Sequence, residues 1–105
     1  MNLLSRRRKL KHTLEQIIGS EGKLYFQPPS NIRMSFPCIE YHRVGSNSDH
    51  ADDLPYRVDP QYQVTVISTD PESEWVDKVS ELPRCSYVRS YTSDNLYHDV
   101  FTIYP

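Results

Sequence analysis

Glycine is scarce in this chain, with three residues, Gly19, Gly22 and Gly45, among 105. That excludes a glycine-rich phosphate loop, whose backbone must turn repeatedly through conformations that only glycine adopts at low cost. Cysteine is scarcer still. Cys38 and Cys85 form no CxxC and have no companion histidine spacing, so neither a zinc framework nor a disulfide scaffold is encoded. Both sit in strand-like surroundings, Pro37-Cys38-Ile39 and Arg84-Cys85-Ser86-Tyr87, which read as plain buried thiols in a reducing compartment. No apolar run approaches the ~20 residues of a membrane span, and no apolar stretch of about 7–15 residues follows the basic N-terminus, as a secretory leader would require. A soluble chain with no membrane partner is expected.

Apolar residues make up only 37%, below the usual ~45–50%. Tyrosine is what the chain has in surplus: eight, against three phenylalanines and one tryptophan. Tyrosine favours half-buried sheet faces and interfaces. The length implies a single domain spanning 1–105, and surface scaling gives roughly 6,100 Å² exposed when folded against about 18,000 Å² unfolded, a modest core.

Charge is unevenly placed. Arg6, Arg7, Arg8, Lys9 and Lys11 hold five of the twelve basic residues within the segment 1–11, leaving seven against fourteen acids, so a −7 body carries a +5 arm. Such a cluster suits an acidic protein surface or phosphates, or is a solvated first helical turn. Nucleic-acid readout has little else behind it, since no helix-turn-helix, aromatic RNA-binding motif or second basic strip follows.

Leu10, Leu14, Ile17 and Ile18 mark one apolar stripe of a helix from about Ser5 to Gly19. Leu24–Gln27 reads as a short strand at an edge, closed by Pro28-Pro29. A second strand follows over Pro37–Arg43, and the polar stretch Val44–Leu54 reads as a long loop. Tyr62–Ser68 alternates cleanly and is rich in β-branched residues, the pattern of a central strand. Asp70, Pro71 and Glu72 resemble an N-cap and first turn, opening a second helix whose stripe is Trp75, Val76, Val79 and Leu82. Strands over Cys85–Thr92 and Leu96–Tyr104 flank a tight turn at Ser93-Asp94-Asn95. The order α-β-β-β-α-β-β predicts an α+β fold, a mainly antiparallel sheet with two helices packed on one face.

Catalytic patterns are weak. Ser48, Asp49, His50, Asp52 and Asp53 crowd oxygen and nitrogen donors together but lack EF-hand spacing, so a solvated acidic loop outweighs a cation site. His98 and Asp99 point to opposite sides of a strand, and His12 and His42 stand isolated in sequence. The expectation is a non-enzyme without cofactor or metal, an assembly component that completes its core at subunit contacts. A small metal or thiol enzyme using Cys38, Cys85 or the Asp-rich loop is the weakest alternative.

The segments Leu24-Tyr25-Phe26-Gln27-Pro28-Pro29, Phe36-Pro37-Cys38-Ile39-Glu40-Tyr41, Tyr62-Gln63-Val64-Thr65-Val66-Ile67, Asp70-Pro71-Glu72-Ser73 and Asp94-Asn95-Leu96-Tyr97-His98-Asp99 together resemble the tail-terminator, or tail-completion, proteins of tailed bacteriophages. The likeness runs from Leu24 to Tyr104 and rests on the conjunction of segments. It implies a virion neck subunit, present in the host cytoplasm during assembly. Such subunits form a hexameric ring, cap the tail tube protein and join it to the head-closure connector, with DNA only passing through the lumen. Under it, Asp49, Asp52, Asp53, Asp94 and Asn95 are candidates for axial or inter-subunit contacts, and Arg6, Arg7, Arg8, Lys9 and Lys11 for an inter-subunit or head-side surface. A head-closure or other neck protein is the nearest alternative; a small DNA-binding regulator using the basic arm is the alternative of another class.

Overall fold

A computed structural model describes residues 3–20, 22–51 and 54–105. In chain order the elements are α1 (Leu3–Ile18), β1 (Lys23–Phe26), β2 (Cys38–Ala51), β3 (Leu54–Ser68), α2 (Glu74–Ser80), β4 (Cys85–Ser93) and β5 (Leu96–Ile103). The strands form one five-stranded sheet ordered β1-β2-β3-β5-β4. Every neighbouring pair is antiparallel except β1 with β2. The α+β architecture and element order are those expected, and the Tyr62–Ser68 stretch does lie mid-sheet.

Register explains the core. Ile39 pairs with Val66, Tyr41 with Val64, Val64 with Phe101 and Tyr62 with Ile103, which lines one face across three strands. Leu10, Leu14 and Ile18 of α1 and Trp75 and Val79 of α2 close over that face. Each such aliphatic side chain contributes about 1.5–3 kcal/mol relative to exposure, so the helix layer is held mainly by this stripe. The opposite face also has a buried centre, Cys38, Thr65, Ile67 and Val100. Parallel neighbours cannot be joined by a hairpin, so the return from β1 to β2 must cross a face. Tyr25, paired with Glu40, accepts a hydrogen bond from the Ser35 amide at 2.9 Å, which places this crossover on the side away from the helices.

Two expectations are corrected. The second helix begins at Glu74, with Ser73 as its N-cap: the Ser73 hydroxyl accepts from the Trp75 amide at 3.3 Å. Asp70 instead closes a turn ahead of the helix, its carboxylate accepting from the Glu72 amide at 2.9 Å. The basic residues Arg6–Lys11 lie within α1, which is helical from Leu3, in keeping with the helix expected from about Ser5. The largest difference is at Val44–Leu54, which is not a loop. β2 runs on to Ala51 and β3 starts at Leu54, with Gly45 paired to Gln61 and Asp49 to Arg57.

β5 stops opposite Tyr62, so β2 and β3 continue beyond it as a two-stranded ribbon. Seven or eight residues per strand give it a reach of about 25 Å. Accordingly the molecule measures 51 × 29 × 24 Å, with a radius of gyration of 14.8 Å against about 13 Å for a compact chain of this size. The exposed surface, 6849 Å², likewise exceeds the compact expectation. Pro55 and Pro60 lie in this part of β3, where the strand has one neighbour among the described residues and a missing amide costs no second ladder.

Leu14→Ala should lower unfolding free energy by about 2–5 kcal/mol in urea titrations, as full burial leaves a cavity. Gly22→Ala should cost about 1–3 kcal/mol, because a methyl there would run into the Trp75 ring and lie 2.7 Å from the Pro37 carbonyl oxygen.

Candidate functional site

The basic cluster occupies the first turns of α1, where the helix dipole disfavours positive charge and no acidic residue offsets it. Two of its members fold down onto the body. Arg6 donates to the Pro105 carbonyl oxygen at 2.8 Å. Arg7 lies 5.2 Å over the Phe26 ring and hydrogen-bonds the Tyr41 phenol. Burial pushes the Tyr41 phenol up, and Arg7 pulls it partly back. Arg8, Lys9 and Lys11 remain exposed. The five cations therefore divide into a pair that fastens α1 to the sheet and three that face outward.

Beside them a cleft of about 300 Å³ opens between α1 and the chain around Pro83 and Tyr104. Leu10, Leu82 and Ile103 line it, with Arg6, Lys9 and Arg84 among its polar walls. Arg84 lies 5.3 Å over the Tyr104 ring. An apolar floor with cationic walls suits an apolar side chain next to a carboxylate.

Asp49 and the candidates from the hairpin turn end far apart. Asp49 is in β2 within the ribbon; Asp52 and Asp53 lie outside the described residues. Asp94 and Asn95 form the β4–β5 turn, at the end of the sheet opposite the ribbon. Both have positive φ, 54° and 62°, as a two-residue type I′ turn requires, so their identity is explained by backbone geometry. The basic residues Arg6 and Arg7 sit at the ribbon's end of the body, since Pro105, Tyr41 and Phe26 are there.

An exposed aromatic margin on β4 and β5 was not among the sequence candidates. Tyr87, Val88, Tyr91 and Tyr97 are exposed, Val88 at 52%. The rings are ordered by their neighbours: Tyr91 stacks on His98 at 4.6 Å, and Tyr87 donates to the Asp99 carboxylate at 3.0 Å. Arg89 lies 5.5 Å over Tyr91. The repeated tyrosines of Cys85–Ser93 were the available signal, but alternation alone does not reveal that a strand is at an edge.

No three of the described histidine, cysteine, aspartate and glutamate side chains group as a metal site. His42 is not isolated; its Nδ1 lies 2.9 Å from the Glu40 carboxylate. Cys38 is fully buried and its thiol is pushed up to about 12, first by burial and then by the Glu40 charge. Burial also raises the Cys85 thiol. Neither carries the depressed pKa of an activated nucleophile. No helix among the described residues is long and apolar enough to cross a membrane. Neither a protein-family model nor a curated protein matches this chain.

The Cys38 shift has a pH consequence. The native thiol holds its proton more tightly than the unfolded one, so it leaves stability unaffected below about pH 9 and lowers it progressively as pH rises toward 12. Urea midpoints should fall across that window less steeply for Cys38→Ala than for the wild type. At pH 8, Cys38 should react with a disulfide reagent only after denaturation.

Proposed function

We propose that this chain is a structural, non-catalytic virion protein of a tailed phage: a tail-terminator or tail-completion subunit. Copies of it would form a ring that caps the tail tube and joins it to the head-side connector. The observation that carries this reading is the ribbon. A two-stranded hairpin is marginal by itself in water, yet this one extends past the helix-covered core with no third strand among the described residues. Such an element gains its stability from another molecule.

Three further features support a ring subunit. The α+β body matches the fold implied by the resemblance in Leu24–Tyr104. Tyr91 and Tyr97 of the aromatic margin lie toward the β4–β5 turn, away from the ribbon's root, so one molecule presents two dissimilar surfaces, as head-to-tail closure requires. Arg8, Lys9 and Lys11 add an outward basic patch suited to an acidic partner. The partners in this reading are further copies of the chain, six in the ring, together with the tail tube protein and the head-closure protein. DNA passes only through the lumen, and the subunit resides in the virion neck after assembly in the host cytoplasm.

A DNA-binding regulator is disfavoured by the same geometry, because Arg6 and Arg7 are engaged with Pro105, Phe26 and Tyr41. Electron microscopy of the chain mixed with its phage's tail tubes should show rings at one end of each tube. Binding to the capsid portal alone would assign it to head closure. Steeply salt-dependent DNA binding with no ring on tubes would overturn the reading.

A further inference from the structure

The ribbon and the β4 edge suggest how one copy engages the next. We infer that the edge of β4, over Arg89–Ser93, receives a strand of the β2–β3 ribbon from a neighbouring copy. The neighbour's strand would extend the sheet beyond β4 by main-chain hydrogen bonding. This inference rests on the ring reading above and names the surfaces that would close the ring.

β4 is the terminal strand on its side of the sheet and, among the described residues, pairs only with β5. Edge strands are commonly protected by shortness, proline, lysine or bulges. β4 is nine residues long and has no proline or lysine. Its one irregularity, between Tyr87 and Arg89, leaves Arg89–Ser93 in unbroken register with β5. Tyr91 stands exposed in that stretch, its ring held against His98. An aromatic group already ordered in the free molecule loses little entropy on being covered.

The other edge does not fit as the occupant. β1 has four residues, Pro28-Pro29 follow it, and Gln27 turns the chain away at φ 45°. Pairing of β4 with the β4 of a second copy is opposed by charge, since residues 84–93 include Arg84 and Arg89 and no acid. It would also give a two-fold dimer, which does not propagate around a ring. The ribbon has the complementary character. Segment 46–59 contains four aspartates and one arginine. Beyond Tyr41 on β2 and before Tyr62 on β3 its outer edges have no partner strand among the described residues. Its strands are long enough to cover five residues of β4.

Two variants, each disabling one half of the contact, test this. In the first, residues 47–59 are replaced by Gly-Asn-Gly-Ser, which removes the ribbon and leaves β4 intact. The second, Arg89→Glu with Tyr91→Glu, makes the β4 edge repel an acidic strand and leaves the ribbon intact. Both should unfold cooperatively, because neither change touches the helix-covered core. Light scattering at wild-type ring-forming conditions, with tail tubes added if rings need them, should show each variant alone as a monomer. An equimolar mixture should give a one-to-one dimer of twice the monomer mass and nothing larger. Rings formed by either variant alone, or a mixture that stays monomeric while the wild type forms rings, would overturn the inference and leave the ring reading standing. A wild type that forms no ring alone or on tubes would overturn both.

Discussion

At Tyr62 the central strand of the sheet loses one of its two neighbours. On the Ser68 side β3 lies between β2 and β5; on the Leu54 side, among the described residues, it has β2 alone. The helix layer follows the supported half, where Val64, Val66 and Phe101 give Leu14, Ile18 and Trp75 an apolar surface to cover. The other half, with β2 as its neighbour among the described residues, can also contain Pro55 and Pro60, which a central strand would exclude. One change of neighbour thus separates a helix-covered body from a two-stranded extension.

Charge is arranged around the same boundary. The N-terminal turns of α1 work against the helix dipole, and the body offsets part of that by giving Arg6 a carbonyl oxygen and Arg7 an aromatic face and a phenol. Those contacts fasten α1 near the ribbon's root. The remaining cations of the cluster point outward, while the ribbon's sequence is acidic. A net charge of −2 therefore conceals two segments of opposite sign in the sequence, basic over 6–11 and acidic over 46–59.

Much of the body could be read from the sequence because its residues answer to local rules. Tyr62–Ser68 alternates since both neighbours and the helix layer constrain it, and Leu10, Leu14 and Ile18 recur at helical spacing since one face is covered. Asp94-Asn95 fits a turn that needs two left-handed residues. The ribbon was harder to see. Val44–Ala51 has no hydrophobic period, and Pro55 and Pro60 argue against a strand; the alternation of Leu54, Tyr56 and Val58 was the one signal present. Asp70-Pro71-Glu72 has the composition of a helix start, yet Ser73 takes the cap. The partners of Arg6 and Arg7 lie far along the chain, and no local pattern names them. For the candidate contacts, sequence supplied the charged residues but not their placement, and it did not mark β4 as an edge.

The central claim is that the ribbon and the β4 edge are completed by assembly. Amide hydrogen exchange measured across a concentration series, or with and without tail tubes, addresses it most directly. A ribbon held only by its own two strands should exchange quickly in the monomer while Val64, Val66 and Phe101 stay protected. On assembly, residues 44–61 and Arg89–Ser93 should gain protection together. Rings that form with both segments still exchanging at the monomer rate would contradict the account.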